Sequence, residues 1–396
     1  MAGVADKARF YLERSVPQLR EWEEKEIFSK DELRTIVQKR NDHEHRVLSP
    51  GNLPSQWSTY AKWEQSLETL RNKRCKRLKI HHLNSAHAGQ ARVMSIYERA
   101  VNRHPGSGEL WREYLSYTAS VKAAKRWRKT MTGALRMMPT DSGLWVLAGR
   151  RSARHGDMAS ARGFFMRGCR FCPQDCKIWV EYAKCEMDWL VKVDKRKETK
   201  GADALRPDRV DDDDELRIVD SDDENEDEDN NLLPEPSKAQ VKVIDKRASE
   251  QLKSNPAMDG AIPMAIFDIS RKQAFYSPEV AETFFLMFAS FKNLSVQPKV
   301  SQHVLHALEE QFPNHPSTCS CYIRQPIAGV HPNTADFARG LRDVLARLEE
   351  KLDTTTDKAE LGHKTGAWID GCLALGDLDD GIRQVLELIK GKLYLS

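Results

Sequence analysis

The 396-residue chain has no run near the roughly 20 apolar residues that span a bilayer, so no membrane-crossing helix is expected. Its first residues, MAGVADKARFYLERSV, lack the unbroken apolar stretch of a signal peptide. An intracellular chain whose eight cysteines are mostly reduced is expected. There is no Gly-x-Ser-x-Gly elbow and no Gly-rich phosphate loop. The one Cys-x-x-Cys, Cys169 and Cys172, has no second pair at zinc spacing, and Cys176 and Cys185 do not supply one. His303 and His306 stand three apart without the His-Glu-x-x-His pattern, and His81-His82 falls in a basic stretch. A catalytic centre, a metal site and a cofactor are therefore not expected.

What is present is charge, and it is unevenly placed. Residues 51–190 carry 25 Lys plus Arg against 11 Asp plus Glu, while 211–229 carry 13 acids against one Arg. The net +3 is thus the sum of a basic body and an acidic tether.

The body repeats. Pro105, Pro139 and Pro173 are 34 residues apart, and so are Trp111, Trp145 and Trp179, each six residues after a proline. Small residues, Ala100, Ala134 and Gly168, precede the prolines by five, and Tyr97, Met131 and Phe165 precede those by three. A fixed period of this length predicts stacked antiparallel helix pairs. The tryptophan opens the first helix of a pair; Trp111, Tyr114, Leu115 and Thr118 share one helical face. The proline ends the second helix, the small residue permits close helix approach, and "HGDM" at 155–158 forms the turn. Trp57 with Tyr60, in "WSTYAKWE", opens an earlier unit lengthened by 20 residues, and Trp179 with Tyr182, in "WVEYAKCE", matches it. These aromatics are expected to pack rather than to stack on bases.

The organisation expected is an N-terminal helical region at 1–56, with Ser29 capping a helix, and repeats at 57–198. An acidic, disordered linker at 199–255 and degenerate helical repeats at 256–396 follow. In the last part, Pro278 with Phe284 six on echoes the Pro-to-Trp step, Pro313 follows a helix with Cys319 in the tryptophan place, and "GDLDDGIR" at 376–383 resembles "GDMASAR" at 156–162. Ser221, followed by three acids, suits an acid-directed kinase. The fold class is an all-α solenoid of helix-pair repeats in two arrays.

Two basic runs are candidate contacts for RNA or a partner protein. Arg71, Lys73, Arg74, Lys76, Arg77 and Lys79 fill one window; Lys122, Lys125, Arg126, Arg128 and Lys129 surround Trp127 in the other. Contact through them would be with phosphates and blind to sequence.

"ARVMSIYERA" (Ala91–Ala100) and the Trp-x-x-Tyr helices resemble half-a-tetratricopeptide (HAT) repeats, which implies a component of an RNA-processing complex. "LERSVPQLREWEEKEIFSKDELRTIVQKRNDHEHRV" (Leu12–Val47), joined to "WSTYAKWEQSLETLRNKRCKRL" (Trp57–Leu78), is similar to the U3 small nucleolar RNA-associated protein 6 family. That resemblance implies a nucleolar, non-catalytic scaffold of the UTP-B subcomplex of the small-subunit processome. Its partners would be β-propeller subunits and, directly or indirectly, U3 small nucleolar RNA or pre-ribosomal RNA. The acidic insert is longer than the family's pattern and the C-terminal repeats are weaker. The alternatives are a HAT scaffold of splicing or messenger RNA 3′-end processing, and a direct, sequence-blind RNA-binding protein.

Overall fold

The computed structural model describes residues 2–200, 259–292, 294–375 and 378–395. The described residues form seventeen α-helices and one 3-10 turn, with no strand among them. None of these helices is long and apolar enough to cross a membrane. Residues 211–229, Ser221 and most of the linker expected at 199–255 lie outside the described residues, as do Gly376 and Asp377 of "GDLDDGIR".

The chain divides into two compact units, one through Pro139 and one from Thr140. The first holds α1 (Ala2–Glu13), α2 (Val16–Glu24), α3 (Lys30–Leu48), α4 (Pro54–Arg77), α5 (Ala88–Arg103), α6 (Gly108–Ser120) and α7 (Ala124–Met137). Here α1 packs on α3, and α4 to α7 pack each on the next. The second holds α8 (Ser142–Arg154), α9 (Met158–Phe171), α10 (Cys176–Lys200), α11 (Ala261–Ser270), α12 (Pro278–Ala289), α13 (Gln297–Gln311) and α14 (Pro316–Arg324). After the 3-10 turn Gln325–Ile327 come α15 (Ala335–Thr354), α16 (Lys358–Leu373) and α17 (Asp380–Leu395). In this unit α8 packs on α9 and α10, α10 on α11 and α12, and α14 on α15 and α16.

The 34-residue period has a physical origin at each helix end. His104, Met138 and Cys172 follow α5, α7 and α9 with φ of −126°, −132° and −119° and ψ near 60°. Each N–H still donates to the carbonyl four residues back, at 2.9, 2.9 and 2.8 Å. The proline that follows has no N–H to continue the ladder and disfavours the helical conformation before it. Phe312, before Pro313, ends α13 in the same geometry, with φ −138° and ψ 57°. Pro278 differs. It occupies the first turn of α12, where a missing N–H costs nothing, and Ser277 Oγ caps that turn. The Pro278-to-Phe284 step therefore stays inside one helix and does not echo the Pro-to-Trp step, which crosses from one helix into the next.

Turns within pairs also keep register. Gly156, at φ +83°, closes α8 with the two bonds of a Schellman motif: Asp157 N–H to Ser152 O and Gly156 N–H to Ala153 O. Lys122, 34 residues earlier and at φ +56°, closes α6 with the same pair of bonds, from Ala123 to Thr118 and from Lys122 to Ala119. Asp157 then caps α9 through Ser160 N–H at 2.9 Å, and Ser29 makes a reciprocal capping box with Glu32 at the start of α3.

Between the helices, small meets large. Ala100 and Ala134 are fully buried. A Cβ built on Gly168 would lie 2.8 Å from Trp145 Cβ, so this approach admits no side chain. Tyr97 stacks on Tyr114 and Phe165 on Tyr182, with centroids 5.6 and 5.2 Å apart. Trp57, Trp111, Trp145 and Trp179 are all buried. Trp57 and Trp111 also donate their indole N–H, to Asn52 Oδ1 at 3.1 Å and to Pro105 O at 2.8 Å. In the C-terminal part, fully buried Cys319 takes the tryptophan place and belongs to one core with Phe337, Leu341 and Leu361.

Two substitutions test this packing by urea denaturation. Trp111→Ala is expected to cost about 3–5 kcal/mol, and Gly168→Ala about 1–3 kcal/mol by overpacking against Trp145. An unchanged midpoint for either would refute the role given to that position.

Candidate interaction surfaces

In α3, Leu33, Ile36, Arg40, Glu44 and Val47 form one buried stripe at helical spacing, and two of its members are charged. Arg40 is completely buried and grips Glu64 of α4 with two bonds, 2.7 and 3.0 Å. Glu44 receives Tyr60 OH at 2.9 Å and both ends of the Arg99 guanidinium at 2.8 and 2.9 Å. Arg99 lies 3.9 Å above the Tyr11 ring. One charged cluster thus ties α1, α3, α4 and α5 together. The second unit has a counterpart, where Arg162 holds buried Glu186 at 2.7 and 2.8 Å. In both pairs the Arg precedes the Glu by 24 residues, and the Glu closes the "WSTYAKWE" or "WVEYAKCE" motif. Charged residues inside an amphipathic pattern read as solvated from sequence; the recurring 24-residue Arg–Glu interval was the available signal.

This framework also sorts the first basic run, which lies at the end of α4. Arg71 is buried and paired with Glu68, its Nε 2.9 Å from Oε2. Arg74 bonds Glu32 at 2.6 and 2.7 Å and the Ile27 carbonyl at 3.0 Å, with its guanidinium 4.5 Å over Phe28. Arg71, buried, and Arg74, part-exposed, are thereby committed to carboxylates within the same fold. Lys73, Lys76, Arg77 and Lys79 remain exposed. In the second run, Trp127 is buried on the inner face of α7, Lys125 and Lys129 share the exposed face, and Lys122 sits in the preceding turn. Arg128 is half-buried, and Arg126 reaches Glu98 at 3.1 Å.

The basic insertion is anchored rather than loose. The backbone N–H groups of Asn84 and Ser85 donate to Glu21 of α2 at 2.7 and 2.9 Å, joined by the Ser85 hydroxyl and Lys25. Burial alone would raise the Glu21 carboxyl, but these donors outweigh it and bring its pKa down to about 2.

Cys169, Cys172 and Cys185 are buried and Cys176 is partly so. Burial pushes the Cys169 and Cys185 thiols up to about 12, which disfavours the thiolate that a metal requires. Among the described residues, no group of three His, Cys, Asp or Glu is placed to hold a metal. His303 Nε2 lies 2.8 Å from Asp268 Oδ1, an ordinary surface pair, and His81 and His82 are exposed.

These features define an all-α protein of packed helix pairs, with one set of charges built into its framework and another left at its surface. Residues 12–95 match the model of the family described as U3 small nucleolar RNA-associated protein 6. The chain is 32% identical over 193 residues to U3 small nucleolar RNA-associated protein 6 of Schizosaccharomyces pombe, covering 48% of this chain and 40% of that protein. It is 24% identical over 190 residues to the Homo sapiens homolog, covering 47% and 32%. The Dictyostelium discoideum homolog is 22% identical over 186 residues, covering 47% and 30%. The chain is similar to these proteins over its N-terminal half, in the stretch that holds the motifs at Leu12–Val47 and Trp57–Leu78, and the match spans less than half the length of each of them.

Two predictions concern the framework. Arg40→Ala leaves Glu64 buried and unpaired and is expected to cost about 3–5 kcal/mol, whereas Arg40→Met with Glu64→Leu costs much less. Equal losses for the two variants in urea melts would contradict this account. The Glu21 carboxyl has a depressed pKa in the fold, so it stabilises fully above its ordinary value of 4.5 and loses that contribution as pH falls toward 2. The stability gap between wild type and Glu21→Gln should therefore be open at pH 7 and close between pH 5 and 2. A gap constant with pH would contradict the assignment.

Proposed function

We propose that the chain is a non-catalytic scaffold in nucleolar small-subunit ribosome biogenesis, supporting U3-dependent processing of pre-18S ribosomal RNA. The observation that carries this reading is the family match over 12–95, the stretch that contains the Arg40–Glu64 framework. The relatives are named for association with U3 small nucleolar RNA. Helix pairs of HAT type suit the role, because stacked pairs expose long faces to other proteins while their own cores stay closed. The partners are other processome proteins, β-propeller subunits of the UTP-B subcomplex among them, and the location is the nucleolus. The division into an N-terminal region, repeats, acidic linker and C-terminal repeats is part of the same proposal.

A second reading, direct and sequence-blind contact with RNA, draws on exposed Lys73, Lys76, Arg77 and Lys79. One purification of the tagged chain, with and without nuclease, separates the two. The scaffold reading expects a stable set of β-propeller proteins and U3 RNA, with the proteins surviving nuclease. Loss of every partner on digestion would instead make RNA the main link. Recovery of splicing or 3′-end factors would move the chain to another RNA-processing assembly.

A further inference from the structure

In the second unit, the end of α9, the start of α10 and α11 frame an open trough of about 760 Å³. Its origin lies in the helix lengths. The second helices of the regular pairs, α7 and α9, have 14 residues each, whereas α11, which packs on α10, has ten. The wall that α11 supplies is short. The floor is apolar, with Cys169, Trp179 and Ile266 buried beneath it, and Met166 and Ile269 stand on the rim about half exposed, at 51% and 49%.

Two polar features give the trough a sign. Among the described residues no acid lines it, and Arg170 stands exposed at its edge without an ion pair. The Trp179 indole N–H is buried in the wall with no acceptor among the described residues, although Trp57 and Trp111, in the same place of their units, each have one. A buried donor without a partner is costly.

We propose that this trough docks an amphipathic helix from a partner protein, one that sets a carboxylate beside its apolar stripe. A helix satisfies its own backbone groups and can lie between other helices without leaving buried N–H or C=O unpaired. Its apolar residues, three and four apart, cover the floor, and its carboxylate meets Arg170. The inference rests on the scaffold reading and adds where one partner binds and by what chemistry.

The test uses the full chain. A photo-cross-linking phenylalanine derivative replaces Met166 in the tagged protein, cells are irradiated, and the joined peptides are identified by mass spectrometry. The expected product is one short stretch of a co-purifying protein with apolar residues at helical spacing and an acid next to them. A synthetic peptide of that stretch should bind the purified chain. Arg170→Glu should weaken binding at least tenfold, and Ile269→Asp should weaken it as strongly, with helical circular dichroism unchanged. Arg170→Lys should retain most of the affinity. Cross-links only to residues 201–258 of this chain would overturn the proposal, as would equal peptide affinity for wild type and Arg170→Glu. A stable partner set with no cross-link from position 166 would sink the docking site and leave the scaffold reading intact. Absence of any stable partner set would remove both.

Discussion

The fold depends on the tight seating of one helix in the notch of its predecessor. A two-helix unit cannot close its own apolar face, so each pair relies on the next to cover it. The notch forms because residues such as Ala134 and Gly168 bring backbones close, and large rings such as Trp145 fill the space that remains. Gly168 shows how narrow the tolerance is, since the Trp145 side chain occupies the position a methyl group would need. Interior packing at crystal-like density makes such positions sensitive to single carbons.

A second constraint is electrostatic and concerns the N-terminal helices. Nothing in α1 to α3 shares the 34-residue period, yet these helices are tied to the helices that follow them. The means is the buried group of Arg40, Glu44, Tyr60, Glu64 and Arg99. Replacing such a cluster by well-packed apolar residues is often neutral, whereas removing one member leaves the other buried and unpaired, so the members hold one another in place. The same framework divides the basic residues: Arg71 and Arg74 are consumed internally, and neighbouring lysines are left for the surface. A basic run therefore contains two populations with different work, and counting charges does not distinguish them.

The part proposed for this chain in ribosome biogenesis fits that division. A scaffold needs a closed core and open faces. The closed core is made by aromatic packing and internal ion pairs, and the open faces include the exposed lysines of α4 and the apolar trough beside α11. The thiols near that trough are held protonated by burial, consistent with packing rather than chemistry.

Much of this was readable in the residues alone. The period, the helix stops before Pro105, Pro139, Pro173 and Pro313, the cap at Ser29 and the turn at Gly156 are local effects, decided by backbone sterics within a few residues of the signal. The family signature is likewise a linear pattern. Pro278 is still a local case, since it carries the same ring as Pro105 yet opens a helix because the adjacent Ser277 supplies a cap. Other features needed the folded chain, because they depend on which distant residues meet. Glu21 in α2 captures a loop more than 60 residues away, and Arg40 is interior because Glu64 waits opposite it. The sequence by itself determined the helices, their ends and their repeat, which are matters of short-range sterics. Only the tertiary structure decided which charges are buried and which face a partner, because the sign and depth of an electrostatic site are set by neighbours brought together through space.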